Sequence, residues 1–111
     1  MGNNFPADVK EFIIQNIHSL AQLEVLLKLR AQPERFWTVN EITNALYLER
    51  QMVNDLLMDL VRRGFAVQAE AGFCYRPENE IVGQLIEALA QLYQERRVAV
   101  TTEIFSKPID F

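Results

Sequence analysis

One cysteine, one histidine and four scattered glycines leave this chain of 111 residues short of what most enzyme sites are built from. Cys74 alone cannot close an intramolecular disulfide, and one cysteine with one histidine cannot assemble a zinc site. His18 and Cys74 lie far apart in sequence and lack an acid that would orient them as a nucleophile and base. No glycine-rich phosphate loop can be drawn. These absences predict no enzyme, no metal and no cofactor.

Long apolar runs are missing as well. The richest stretch, Leu23 to Leu29, is broken by Glu24 and Lys28, so no membrane-spanning segment is expected. The start, Met1-Gly2-Asn3-Asn4-Phe5-Pro6, has neither a basic region nor an apolar one, and Pro6 stands where a myristoylation signal needs Ser or Thr. With a lone cysteine, this predicts a reducing, cytoplasmic location. Basic charge is also scarce: 11 Lys and Arg against 15 Asp and Glu give a net charge of −4. Nucleic-acid binding draws much of its affinity from neutralised phosphates, so this balance weighs against it unless a basic patch is local.

What is present is the composition of an ordinary globule, 50% hydrophobic and 23% charged, at the length of one domain. Asp8 can cap a first helix with Val9, Phe12, Ile13 and Ile17 on one face, ending near His18. Ser19 and Gln22 have capping-box spacing before a helix rich in leucine, which Pro33 forbids to continue. Phe36-Trp37-Thr38 is a candidate strand. Thr38 and Glu41 form a second capping box and open a helix over Val39 to Leu46. Tyr47-Leu48 is a turn. A longer helix follows from about Glu49 to Arg63, with Val53, Leu56, Leu57 and Leu60 as its apolar stripe. Arg62 and Arg63 suit the negative end of its dipole, and Gly64 suits its stop.

Beyond Gly64, residues 65–70 and 73–76 read as a hairpin around Ala71-Gly72, ended by Pro77. A last helix begins near Asn79 and reaches at least Arg97. The segment from Val98 to Ser106 is crowded with β-branched residues, yet its spacing still permits helix. The whole is mainly α with a small β-hairpin, in the order α-α-β-α-α-β-β-α.

That order is the order of a winged helix-turn-helix. The stretch "WTVNEITNALYLERQMVNDLLMDLVRRGFAV" resembles the core of MarR-type and related small bacterial transcriptional regulators. The matching positions are Thr38, Ile42, Leu48, Val53, Leu56, Leu57, Leu60, Gly64 and Phe65, and the likeness spans roughly residues 19 to 76. The C-terminal "ERRVAVTTEIFSKP" resembles an ending of small bacterial winged-helix proteins, and it carries no function with it. The resemblance implies a winged core over 19–77. A helical segment 1–18 would precede it, and a helix and tail over 78–111 would follow as a dimerisation element.

The resemblance also implies that the longer helix enters a DNA major groove. Its leading outward residues are Arg50, Gln51, Asn54 and Asp55, with Met58 a turn later. Arg50 could fork onto guanine and Gln51 or Asn54 onto adenine, while Asp55 could accept from a cytosine amine but would repel phosphate. Arg62, Arg63 and Arg76 are the remaining cations of this region. From Thr38 to Arg76 there are four arginines against five acids, a poor balance for a DNA reader. The matching positions are structural ones, and folds do not specify functions. Two readings therefore stand: a homodimeric transcriptional regulator bound to double-stranded DNA, and a winged-helix module that docks onto another protein. The same outward residues read equally as a solvated helix face.

For the dimer, Leu85, Leu89, Leu92 and Tyr93 of the last helix are the expected contacts, because its apolar residues cover more than one narrow stripe. A helix folded back on its own domain would explain the same pattern. The apolar tail from Ile104 to Phe111 could dock on a partner. Trp37 reads as a packing anchor, His18 as a surface or cap residue, Cys74 as an inert buried thiol, and Arg96-Arg97 as a solvated helix end.

Overall fold

The computed structural model describes residues 5–106, so the tail from Lys107 onward lies outside the described residues. Within them the chain is mainly helical, with six helices and one two-stranded antiparallel hairpin. The helices are α1 (Ala7–Asn16), α2 (Leu20–Ala31), α3 (Val39–Leu46), α4 (Arg50–Arg62), α5 (Glu80–Glu95) and α6 (Arg97–Phe105). The hairpin, between α4 and α5, pairs β1 (Ala66–Ala69) with β2 (Gly72–Tyr75). No helix is long and apolar enough to cross a membrane.

Caps set most of the boundaries. The Thr38 hydroxyl accepts from the Glu41 N–H and the Glu41 carboxylate accepts from the Thr38 N–H, the expected reciprocal box. Asn79 caps α5 through the N–H of Val82. At the other end of α4, Gly64 takes φ +83°, its N–H donates to Val61 O, and the Phe65 N–H reaches back to Leu60 O. That pair of bonds is a Schellman stop, which a left-handed glycine permits.

Four expectations need correction. Asp8 does not cap α1. The helix starts two residues earlier, behind Pro6, and the Asp8 carboxylate accepts from the N–H of Val9 within the first turn. Ser19 does cap α2 by accepting from Gln22 N–H, but Gln22 does not return the bond to Ser19. Its amide is buried, so it is spent on the α1–α2 connection: the carbonyl accepts from His18 N–H and the amine donates to Asn16 O, both at 2.7 Å. The last helix is two helices. Arg96, at φ −138° and ψ 58°, ends α5 and starts α6, and the β-branched segment after it is helical because Val100 and Ile104 bury one face. Finally, the hairpin turn is Glu70-Ala71, and Gly72 is already the first residue of β2.

The expected strand at Trp37 is a single antiparallel bridge. The Trp37 and Phe73 N–H groups each donate to the other's carbonyl at 2.7 Å. This pins the hairpin to the chain just before α3. Trp37 is buried, and the Arg35 guanidinium stacks 3.5 Å from its ring centroid, so it is the anchor its sequence position suggested.

The core runs through α2, whose Leu23, Val25, Leu26 and Leu29 are all fully buried. Ile42 of α3 and Val53, Leu57 and Leu60 of α4 close on it from one side. Helices α1, α5 and α6 pack on one another, with Phe12, Ile13, Ile86, Leu89 and Val100 inside.

Candidate nucleic-acid interface

The turn between α3 and α4 is made by Tyr47 in the left-handed region, at φ 58° and ψ 40°. A bulky residue adopts that conformation rarely, and Tyr47 does so while 92% exposed. Glu49 then caps α4, accepting from the N–H of Met52. A carboxylate thus already occupies the positive end of the helix, where a phosphate could otherwise sit.

Five exposed residues of α4 share one side of the helix: Arg50, Gln51, Asp55, Met58 and Arg62, with Asn54 half-buried beside them. Arg50, Gln51 and Asn54 line one cleft of about 390 Å³ together with Glu49 and with Val39 from the first turn of α3. Three of the expected base-contacting residues therefore converge. Asp55 joins them differently: its carboxylate accepts from the Gln51 amide at 3.0 Å. Gln51 is held along the helix, and one oxygen of the Asp55 carboxylate is engaged there.

Arg62 and Arg63, at the end of α4, are both engaged within the chain. Both guanidiniums close on Asp59, Arg62 on one carboxylate oxygen and Arg63 on the other at 2.7 Å. Arg63 also donates to the Asn16 side chain at 3.2 Å and to Gln15 O at 3.4 Å. Its guanidinium ties the end of α4 to the end of α1. Arg62 stays 72% exposed and could still turn outward at the expense of its ion pair. The signal was in the sequence, since Asp59 precedes the two arginines at i+3 and i+4, the spacing of helical ion pairs.

Arg63→Ala should therefore lower stability by about 1–2 kcal/mol, because a charge-assisted link between two helices is lost from a partly screened site. Urea unfolding would measure it, and an unchanged midpoint would remove the structural role.

Arg76 is exposed at the end of β2, beside a shallow depression that includes Val61 and Gly64. It marks the far end of α4 from Arg50, a separation of about 20 Å along a helix of 13 residues. Glu70 at the hairpin tip brings an acid instead of a cation. At the start of α3, the Thr38 N–H and the Arg35 guanidinium hold the Glu41 carboxyl below the usual carboxylate range, so it stays charged.

The expected dimer contacts divide. Leu89 and Tyr93 are buried inside the chain's own core, so a partner could not reach them without opening it. The Tyr93 hydroxyl donates to Glu24 at 2.8 Å and accepts from Arg97 at 2.9 Å, tying α2 to the start of α6. Burial, with Glu24 beside it, pushes this hydroxyl above the usual tyrosine range. Leu85 and Leu92 are half-buried and keep part of their surface outside. At about 100° per residue the four residues span one arc of roughly 100°, with Leu89 and Tyr93 on the side turned to the core and Leu85 and Leu92 at its edge.

Cys74 is buried with its thiol 3.2 Å from Pro33 O. Among the described residues no three of His, Cys, Asp or Glu gather closely enough to hold a metal ion. Compared with protein-family models, with curated proteins and with solved structures, the chain has no match.

Proposed function

We propose that this chain is a winged-helix protein that acts as a dimeric transcriptional regulator, reading double-stranded DNA with the leading end of α4. The hairpin after α4 would be the wing. The observation that carries the reading is the cleft shared by Arg50, Gln51 and Asn54. It gathers a guanidinium and two side-chain amides at the exposed N-terminal turn of a helix, the groups that fork onto guanine and adenine edges. A helix that docks by apolar contact would be expected to present a broader greasy face. Outward on α4 only Met58 and, at its flank, Met52 are large and apolar, exposed 41% and 43%.

The electrostatics make this a reader of few phosphates. With Arg63 committed to α1 and Arg62 paired to Asp59, each protomer keeps Arg50 and Arg76 for DNA. Four such contacts in a dimer give a log–log salt slope of about −3 to −4, which is shallow for a regulator.

The same pairing of Arg62 and Arg63 favours a second reading, in which the module docks onto a protein through the Arg50–Met58 face and selects no DNA.

Selection from a random duplex pool in about 100 mM salt decides between them. Enrichment of one motif supports the first reading, and no motif from the dimer would sink it. Given a motif, Arg50→Ala should weaken specific binding by about 1–3 kcal/mol and relax one base position. Asp55→Asn should strengthen binding to all duplexes, most at low salt, because a charge facing phosphate is removed.

A further inference from the structure

A cleft of about 700 Å³ lies between the end of the hairpin and the first half of α5. Its lining includes Tyr75 and Pro77 on one side and Glu80, Gly83, Gln84 and Glu87 of α5 on the other. The size is that of a small-molecule site, and three observations give it a chemistry. The first is a buried hydroxyl. Tyr75 is only 9% exposed, yet among the described residues its hydroxyl has no hydrogen-bond partner. Burial pushes it up to about 12, with Glu87 adding to the rise and Arg30 opposing it, so it stays protonated and neutral. A buried hydroxyl is costly until some group satisfies it. The second observation is Gly83. It lies inside α5 without a positive φ, and a Cβ there would meet only Pro77, at an ordinary 3.5 Å. Glycine inside a helix lowers stability relative to alanine, and no contact of the fold requires it. It leaves bare backbone facing Pro77 across the cleft.

The third observation is charge. Glu80 and Glu87 both line the cleft, and no lysine or arginine does. Arg30 holds the two oxygens of Glu87 at 2.7 and 2.8 Å, which offsets one carboxylate and leaves that of Glu80. Arg76 follows Tyr75 in the chain but lines the other depression, beside Gly64. The positive end of α5 does not favour an anion here, because Asn79 caps it and Glu80 stands in its first turn. The cleft therefore offers acceptors of negative charge beside an apolar slot. From this arrangement we infer that it binds a small planar cation, an aromatic amidine or amine. Its ring would lie between Pro77 and the bare backbone at Gly83, and its N–H groups would donate to the Tyr75 hydroxyl and the Glu80 carboxylate.

The inference goes beyond the proposed function and depends on neither DNA nor a dimer. Benzamidine is the probe, with benzamide as its uncharged counterpart and benzoate as its anionic one. Titration of the isotope-labelled full chain, followed by NMR at the backbone N–H of Gln84, should show saturable benzamidine binding with a Kd of about 1–10 mM, ordinary for so few atoms. Benzamide should bind at least about threefold more weakly, and benzoate should not bind, because a carboxylate faces the site. Three variants should keep the fold, as circular dichroism would verify. Tyr75→Phe removes a hydroxyl that holds nothing in the chain, Glu80→Gln changes an exposed residue, and Gly83→Ala adds a methyl inside a helix. Each should weaken benzamidine binding by at least about threefold, through a lost acceptor, a lost charge and a narrowed slot respectively. Shifts that fail to saturate by about 50 mM would overturn the site, since that is weaker than so small a ligand needs. Benzoate binding as tightly as benzamidine would overturn the cation. A benzamidine affinity unchanged in any one of the three variants would overturn the placement between Pro77, Gly83, Tyr75 and Glu80.

Discussion

Leu57→Ala should destabilise the fold by about 2–5 kcal/mol, while Leu56→Ala should cost about 1–2 kcal/mol. The two leucines are neighbours in sequence and stand about 100° apart on α4. Leu57 is fully buried with Val53 and Leu60, where α4 meets α2, α3 and β1. Truncating it leaves a hole with rigid walls, and the surrounding helices cannot collapse to fill it. Leu56 packs against the core from the rim and keeps part of its surface in water, so its cavity opens to solvent. Urea unfolding of both variants measures the difference. Equal losses would mean that α4 is rotated about its axis by one residue, with Leu56 as deep as Leu57. The Arg50–Asn54 cleft would then turn away from the surface with it.

This pair shows how much of the fold is legible in the sequence. The spacing of Val53, Leu56, Leu57 and Leu60 defines the helix and its inward side. It does not say which leucine sits at the centre, because a stripe of four residues is wider than the contact with any one neighbour. Caps are the best guides. Thr38 with Glu41, and Gly64 after Arg63, mark ends that the backbone respects, because each removes orphaned N–H or carbonyl groups locally. Where the cause is tertiary, the signal vanishes. Arg96 divides α5 from α6 with no proline or glycine at the break. The turn is needed so that Val100 and Ile104 can pack back on the domain, and nothing within a few residues encodes that.

The candidate site divides the same way. Arg50, Gln51 and Asn54 fall together because they share one exposed helix face, a purely local matter. The other partners of Arg63, Asn16 and Gln15, are 47 and 48 residues away, so this link is not legible locally. Asp59 counts in the sequence only as one of the five acids from Thr38 to Arg76, yet it is the hub that holds the end of α4 to α1. Leu89 and Tyr93 group with Leu85 and Leu92 in the sequence because periodicity finds apolar residues without saying what covers each one.

Gly72→Ala should be the most disruptive single change in the hairpin, with a loss of about 2–5 kcal/mol from backbone strain and broken bridge bonds together. Gly72 sits at φ +133°, which side chains other than hydrogen rarely accept. A Cβ there would lie 2.3 Å from Trp37 O and 2.7 Å from its carbonyl carbon. Those are backbone atoms, so no rotamer change relieves the clash. Relief requires the hairpin to move off Trp37, and the paired Trp37–Phe73 hydrogen bonds would go with it. The disturbance should also reach the proposed interface, because Trp37 leads directly into Thr38, the cap that fixes the start of α3. Gly83→Ala supplies the control. Gly83 lies within α5, and a Cβ there meets only Pro77 at 3.5 Å, an ordinary contact. Replacing a mid-helix glycine by alanine should stabilise by about 0.5–1 kcal/mol. Thermal unfolding of the two variants side by side tests the argument. A Gly72→Ala protein as stable as the unmutated chain would mean that the hairpin is not seated on Trp37.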